Sequence, residues 1–309
     1  MAIETSALTA LSNDIAATVE RVAPSVVAVE ARARVGSAGF FIRPDLVVTA
    51  DHALESDEVE IVRADGKTES ATVAGRDPST DLALLRVQTP GPALEFAPPD
   101  ALRVGAIVLA VARDDDGDLA ASMGVLSAVG EGWRTWHGGQ IDRFVRPDLA
   151  LYARFSGSPL IDVNGRAIGL NTAGLSRHQV LTVPAVTIER VVQTLLSGGG
   201  RIPRGYLGVA LQGVEGGAIV LGVERDSPAD RGGLIVGDII TGVAGNAVED
   251  ADDIHAQLGA ATVGAKLELG VRRGGTPLHV QVIVGERPAD DAETQRVWDR
   301  HRNSREHGR

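Results

Sequence analysis

The stretch Phe155-Ser156-Gly157-Ser158-Pro159-Leu160 decides the reading of this chain, because it sets a serine at the centre of a short glycine-bearing turn. Two other contexts lie upstream. Val47-Val48-Thr49-Ala50-Asp51-His52 is an apolar strand that delivers a histidine at its end. Asp81-Leu82-Ala83-Leu84-Leu85-Arg86-Val87 begins with an aspartate and runs directly into an apolar strand that would bury it. Serine is a poor nucleophile at neutral pH. It needs a neutral imidazole to take its proton and a buried carboxylate to fix the ring's tautomer and stabilise the imidazolium. His52, Asp81 and Ser156 can supply those roles, whereas singly they read as a strand-end surface residue, a strand start and a turn residue. Asp77 is the competing carboxylate, but it precedes Pro78-Ser79-Thr80, a turn sequence, so Asp81 is the better orienter.

Composition bounds what surrounds this trio. The chain has 309 residues, enough for two ordinary domains, and its 44% hydrophobic content supports packed cores. Aromatics are 3% and glycines number 37, so the cores must be built from Val, Leu, Ile and Ala between tight turns, which favours a mainly β body. A net charge of -11 disfavours nucleic acid or an anionic membrane as the main partner. Without cysteine there is neither a disulfide nor a thiolate metal site. Met1 to Glu20 carries Glu4, Asp14 and Glu20 and no basic leader, and no stretch reaches membrane-spanning length, so the expected location is the cytoplasm and no membrane insertion is expected.

Leu8, Leu11, Ile15, Val19 and Val22 recur at helical spacing and predict an N-terminal amphipathic segment within residues 1–24, ended by Pro24. Residues 25–197 then carry strand signals: Val26 to Val29, Glu58 to Val62, Leu82 to Val87, Ile107 to Val111 and Ala167 to Asn171. A helical stripe of Ile188, Val191, Val192 and Leu195 closes that region. Gly198-Gly199-Gly200 opens a predicted linker over 198–204. Strands are expected at Tyr206 to Leu211, Ala218 to Val223, Asp238 to Val243, Leu267 to Arg273 and Leu278 to Val284, with a helix at Ala251 to Leu258, in a second domain over 205–287. The remainder, 288–309, reads as a charged, solvated tail in which nothing holds His301 and His307 as metal ligands.

With these residues in view the chain resembles the HtrA (Deg) family of serine proteases, from about Val22 to Arg287. The chain order His52, Asp81, Ser156 is that of chymotrypsin-type enzymes. The separations of 29 and 75 residues agree with the family pattern. Gly36-Ser37-Ala38-Gly39-Phe40 resembles the family's strand entry, Leu46 to His52 its histidine strand, Asp77 to Val87 its aspartate segment, and Ser156 to Asp162, with Asn164-Gly165 and Ile168 to Thr172, its nucleophile loop and following strand. The resemblance implies a chymotrypsin-like double β-barrel followed by a PDZ domain, a β-sandwich with a capping helix. Gly205-Tyr206-Leu207-Gly208-Val209 resembles the carboxylate-binding loop of such PDZ domains, with Asp226-Ser227-Pro228-Ala229, Gly233-Leu234 and Val236 to Ile240 behind it. Backbone N–H groups there would hold a terminal carboxylate while Ile254 and Leu258 wall off the last side chain of the peptide.

The resemblance also assigns roles. Ser156 would be the nucleophile, His52 the base and then acid, Asp81 the orienter, and the N–H groups of Arg154 and Ser156 the oxyanion donors. Arg154 departs from the family's glycine: the donor survives, but glycine's conformational freedom is lost. Ala150, six residues before Ser156, with Ala173 and Gly174, would form a pocket for a small apolar side chain, since no buried acid is available for Arg or Lys. Trp133, Trp136 and His137 lie in a loop, Gly130 to Gln140, that resembles the family's regulatory loop; its two Trp could equally pack on the domain's own surface. His255, beside Ile254, is expected to be exposed. The implied activity is ATP-independent endoproteolysis of unfolded polypeptide without a cofactor, by a homotrimer that also binds C-terminal peptides. The competing class is a pseudoprotease that binds without cutting. By family analogy the alternative location is the periplasm.

Overall fold

The computed structural model describes residues 6–30, 36–56, 58–114, 116–135, 138–150, 153–176, 179–200, 205–258 and 263–286. Trp136, His137, the side chain of His255 and the tail from 288 on lie outside the described residues. The chain divides into two compact units, one up to Ile202 and one from Pro203.

In the first unit, α1 (Ala7–Val22) starts where the Ser6 hydroxyl accepts the Thr9 N–H and stops just before Pro24. Only the C-terminal part of its apolar stripe, Ile15, Val19 and Val22, packs on the core, while Leu8 and Leu11 are 78% and 46% exposed. Six strands then close a barrel: β1 (Val26–Glu30), β2 (Ser37–Arg43), β3 (Leu46–Ala50), β4 (Glu58–Val62), β5 (Thr68–Asp77) and β6 (Leu82–Arg86). β7 (Ile107–Arg113), β8 (Leu119–Gly130), the short pair β9 (Trp133–Arg134) and β10 (Gln140–Ile141), β11 (Phe144–Asp148), β12 (Pro159–Asp162), β13 (Ala167–Thr172) and β14 (Leu181–Pro184) follow. Six of these form a sheet in the order β11-β8-β7-β12-β13-β14, whose edge strands β11 and β14 lie against each other so that it too curls into a barrel.

The apolar runs of β3 and β6 follow from burial on both faces. Leu46, Val48, Leu82 and Leu84 join the core shared with Leu109, Val111, Ile161 and Leu170 of the second barrel. Val47, Ala83 and Leu85 fill the interior of the first with Val27, Phe41 and Ile61. Helix α2 (Ala185–Ser197) buries its predicted stripe, Ile188, Val191, Val192 and Leu195, in the shared core. The glycines after it are less free than a linker reading predicts. The Gly200 N–H donates to Leu195 O and its carbonyl accepts the Arg76 N–H at 3.1 Å, which fastens the run to β5.

In the second unit, β16 (Val209–Val214), β17 (Gly217–Val223), β18 (Ile239–Val243), β20 (Lys266–Arg273) and β21 (Thr276–Ile283) form one sheet in that order, and β19 (Asn246–Ala247) pairs with β18. β15 (Gly205–Tyr206) pairs with β22 (Gly285–Glu286). Helices α3 (Pro228–Gly232) and α4 (Ala251–Gln257) complete the unit around Leu207, Val220, Ile240, Ile254 and Leu269. The single strand predicted over Tyr206 to Leu211 is broken in two. Gly208 takes φ +75° and breaks the extended run, so the chain leaves β15 and re-enters the sheet at Val209.

Candidate functional site

His52 is the middle residue of one 3-10 turn, Asp51–Ala53, at the end of β3. Asp81 sits in the turn that leads into β6 at φ +57°, a left-handed conformation that Asp tolerates better than most residues. The two strands pair side by side, and the Asp51 N–H donates to the Asp81 carbonyl at 3.2 Å. The Asp81 carboxylate is almost fully used: Oδ1 accepts the His52 main-chain N–H at 2.8 Å, Oδ2 faces His52 Nδ1 at 2.8 Å, and the Thr172 hydroxyl donates to Oδ2. That arrangement places the ring proton on Nδ1 and leaves Nε2 as an acceptor. Ser156 Oγ lies 3.2 Å from Nε2.

Ser156 is held from both barrels. Its carbonyl accepts the Ala38 N–H of β2 at 2.9 Å, and the next residue, Gly157, donates to Asn171 O of β13 at 2.8 Å. The three side chains singled out in the sequence therefore meet at the seam of the barrels, with Asp81 3% and Ser156 8% exposed. Asp77, the competing carboxylate, is spent on its own turn: it accepts the Ser79 N–H and hydroxyl and the Thr80 hydroxyl. Chemically, the line acid, imidazole, hydroxyl can pass a proton from Oγ to Nε2 while the acid holds the ring.

Around this line the other expected residues are distributed unevenly. Ala153–Phe155 form one 3-10 turn leading into Ser156, and Arg154 has no left-handed conformation; its guanidinium reaches Asp114 at 3.2 Å. Ala173 is exposed, and its N–H donates to Ser156 Oγ at 3.4 Å; Ala150 is exposed on the approach to the same loop. Gly174 is exposed. It lies against the acid and the ring, where a Cβ would come within 2.5 Å of Asp81 Oδ2 and 2.7 Å of His52 Nδ1.

In the second unit, β16 is an edge of its sheet, and among the described residues no strand pairs with its outer side, which an added strand could use. Tyr206 and Val209 are half-buried, and Leu207 is buried in the core with Ile254 and Leu258 of the α4 region. Gly208 O accepts the Glu224 N–H, and the Tyr206 hydroxyl bonds the Glu224 carboxylate.

Residues 36–170 match the trypsin-like peptidase domain family, and residues 205–284 match the PDZ domain family. Two similar curated proteins are both called probable periplasmic serine endoprotease DegP-like. That of Chlamydia pneumoniae is 29% identical over 296 residues, 89% of this chain and 60% of that protein. That of Brucella suis biovar 1 (strain 1330) is 32% identical over 274 residues, 82% of this chain and 53% of that protein. A solved structure of HtrA-type protease AlgW with decapeptide superposes at a TM-score of 0.70 with 26% identity, covering 89% of this chain and 99% of that one. The chain joins a trypsin-like peptidase domain to one PDZ domain, and its similar solved structures are of HtrA-type proteases. It spans about three fifths of the length of the curated relatives first matched. The expected fold, barrels followed by a PDZ domain, is the observed one. The cytoplasmic expectation finds no support, because these curated relatives are named periplasmic.

Two features of this site escaped the sequence reading. Thr172, quoted only as part of a matching segment, anchors the acid through its hydroxyl, and the one available signal was its place next to Asn171 at the end of an apolar strand. Arg76 escaped altogether, because a lone arginine before Asp77-Pro78 looks like a solvated strand end.

Proposed function

We propose that this chain is an ATP-independent serine endopeptidase acting on unfolded or exposed polypeptide. Ser156 is the nucleophile, His52 the base then acid, and Asp81 the orienter, in a protease domain over 25–197. The observation that carries the reading is the unbroken line from Asp81 Oδ2 to His52 Nδ1 at 2.8 Å and from His52 Nε2 to Ser156 Oγ at 3.2 Å. The relatives named endoproteases support it over a binding-only role. The test is reaction with a fluorophosphonate probe and hydrolysis of an unfolded protein. Both are expected from the intact chain and not from Ser156→Ala, and labelling that survives in Ser156→Ala would refute the assignment.

A second reading, latency, has its own observation: Arg154, which stands where the resembled family has glycine, lies inside the 3-10 turn Ala153–Phe155 and has no left-handed conformation. In this reading the N–H groups of Arg154 and Ser156 become donors only when the turn opens. A C-terminal peptide then raises the labelling rate and Arg154→Gly raises basal turnover; unchanged rates in both count against it.

The PDZ domain over 205–287 takes C-terminal peptides as an added strand along β16, with the carboxylate at Tyr206 to Val209 and the last side chain against Ile254 and Leu258. Support comes from the edge position of β16 and from the AlgW structure solved with a decapeptide. Cleavage follows small apolar residues because Ala150 and Ala173 bring no charge to the cleft, and a peptide library cut mainly after Arg or Lys would exclude that. The periplasm is the proposed location, supported by the relatives' names. The proposed assembly is a homotrimer formed through the N-terminal region, for which the exposed Leu8 and Leu11 of α1 offer apolar surface.

A further inference from the structure

His52 rides on a single 3-10 turn, and one side chain from another strand grips both ends of that turn. Arg76 of β5 donates through Nε to Asp51 Oδ1 at 2.6 Å and through Nη2 to the carbonyls of Asp51 and Leu54, each at 3.2 Å. The opposite side of the turn is held by Asp81, whose carbonyl and carboxylate accept the N–H groups of Asp51 and His52. Arg76 is itself fixed at the main chain by Gly200. The imidazole is therefore clamped between an arginine and the acid that orients it.

Electrostatics gives the clamp a second task. Asp51 is only 6% exposed, and the charged groups facing it are Arg76, Asp81 and Asp77. His52 faces Asp81 directly and Asp51 along its own turn. An uncompensated carboxylate at Asp51 would add to that of Asp81 in favouring the imidazolium, and an imidazole already protonated at working pH cannot take the serine proton. Burial pushes the Asp51 carboxyl up from its ordinary value, while the guanidinium of Arg76 pulls it back toward ionisation.

We propose that Arg76, acting through Asp51, is a positioning residue for His52, which it anchors and whose local charge it balances so that the ring responds to Asp81 alone. The proposal rests on the protease reading of Ser156, His52 and Asp81. A charge-balancing anchor and a merely structural arginine differ in what they do to the titration of the ring.

The experiment follows the His52 ring signal by NMR against pH in the full chain carrying Ser156→Ala, assigned by loss of the signal in His52→Gln. The acidic limb of the kcat/KM profile is measured in parallel with Ser156 intact. Asp51→Asn leaves Arg76 uncompensated and is expected to move the ring titration and the acidic limb down by about half a pH unit or more. Arg76→Ala moves both up by a similar amount. The double variant restores the wild-type midpoint but not the plateau rate, which stays about tenfold low because the turn has lost its anchor. Arg76→Lys keeps the charge, holds the midpoint and still lowers the plateau. A ring titration that stays put in both single variants overturns the proposal, as does a plateau unchanged in the double variant and in Arg76→Lys. Failure of the underlying reading looks different: wild-type chain that shows no Ser156-dependent turnover, with or without a C-terminal peptide, removes the protease assignment and the proposal with it.

Discussion

Asp51 meets Arg76 at 2.6 Å in the first unit, and Asp238 meets Arg273 at 2.7 Å in the second. Both carboxylates are buried, and both arginines are about one third exposed. The outcomes are opposite. The guanidinium of Arg273 holds Asp238 below its ordinary value of 3.8, helped by the Ile235 N–H, whereas burial holds Asp51 above 3.8 in spite of Arg76. The difference lies first in burial: at Asp51 its cost outweighs Arg76, with Asp81 and Asp77 adding to it, whereas at Asp238 the arginine and the Ile235 N–H outweigh it. An ion pair's effect on an acid is therefore set by the burial around it, and then by the surrounding charge, as much as by the contact.

The largest expected effect breaks the comparison at the carboxylate that crowds Asp51. Asp81→Asn should cut kcat about ten-thousand-fold, because the ring loses the partner that fixes its tautomer, whereas Asp238→Asn should leave turnover of a short peptide unchanged. Comparable kcat for Asp81→Asn and wild type would remove Asp81 from the site.

Next in size is packing, which treats the units as separate bodies. Leu84→Ala empties a position in the core between the barrels, and Leu269→Ala one in the second unit. Each should cost about 2–5 kcal/mol. Hydrogen exchange in the full chain should show the loss confined to the unit that carries the change.

Acid distinguishes the two pairs more finely. The stability contributed by Asp238, whose folded value is depressed, is fully present above about pH 4 and is lost as pH falls through that lower value. For Asp51, whose folded value is raised, the contribution is present below about pH 4 and is lost as pH rises through the raised value. Lowering the pH through 4 should thus speed exchange of the β18 and β20 amides while easing the burden on the His52 turn. In Arg273→Ala the second unit should be weakened already at neutral pH and lose most of that acid sensitivity. The smallest effect belongs to the exposed Arg86–Asp45 pair, half exposed on both sides. Arg86→Ala should shift stability by no more than about 0.5 kcal/mol in a denaturation curve.

How far the sequence could be read follows from the same physics. Strands with both faces buried, such as Leu46 to Ala50 and Leu82 to Arg86, appear as apolar runs and place His52 and Asp81 at their ends. Strand β5 is nearly invisible: Thr68-Glu69-Ser70-Ala71-Thr72 keeps one face in water, and only Ala71 among these is buried. Strand β8 hides for the opposite reason, since Leu119, Met123 and Val125 point outward and small residues point in, inverting the usual pattern. Missing β5 meant missing Arg76, whose partner at Asp51 lies 25 residues away in the chain. The loop around Arg154 could be located but not shaped, because a substitution for glycine states which conformation is lost and not which turn replaces it.

Gly174 sets a limit on how this cleft can be redesigned. Its α-hydrogen is all that separates the backbone from the acid and the ring, and a methyl there would press on both. In the proposed protease, libraries that seek new cleavage preferences around Ala150 and Ala173 must therefore keep the bare backbone at 174.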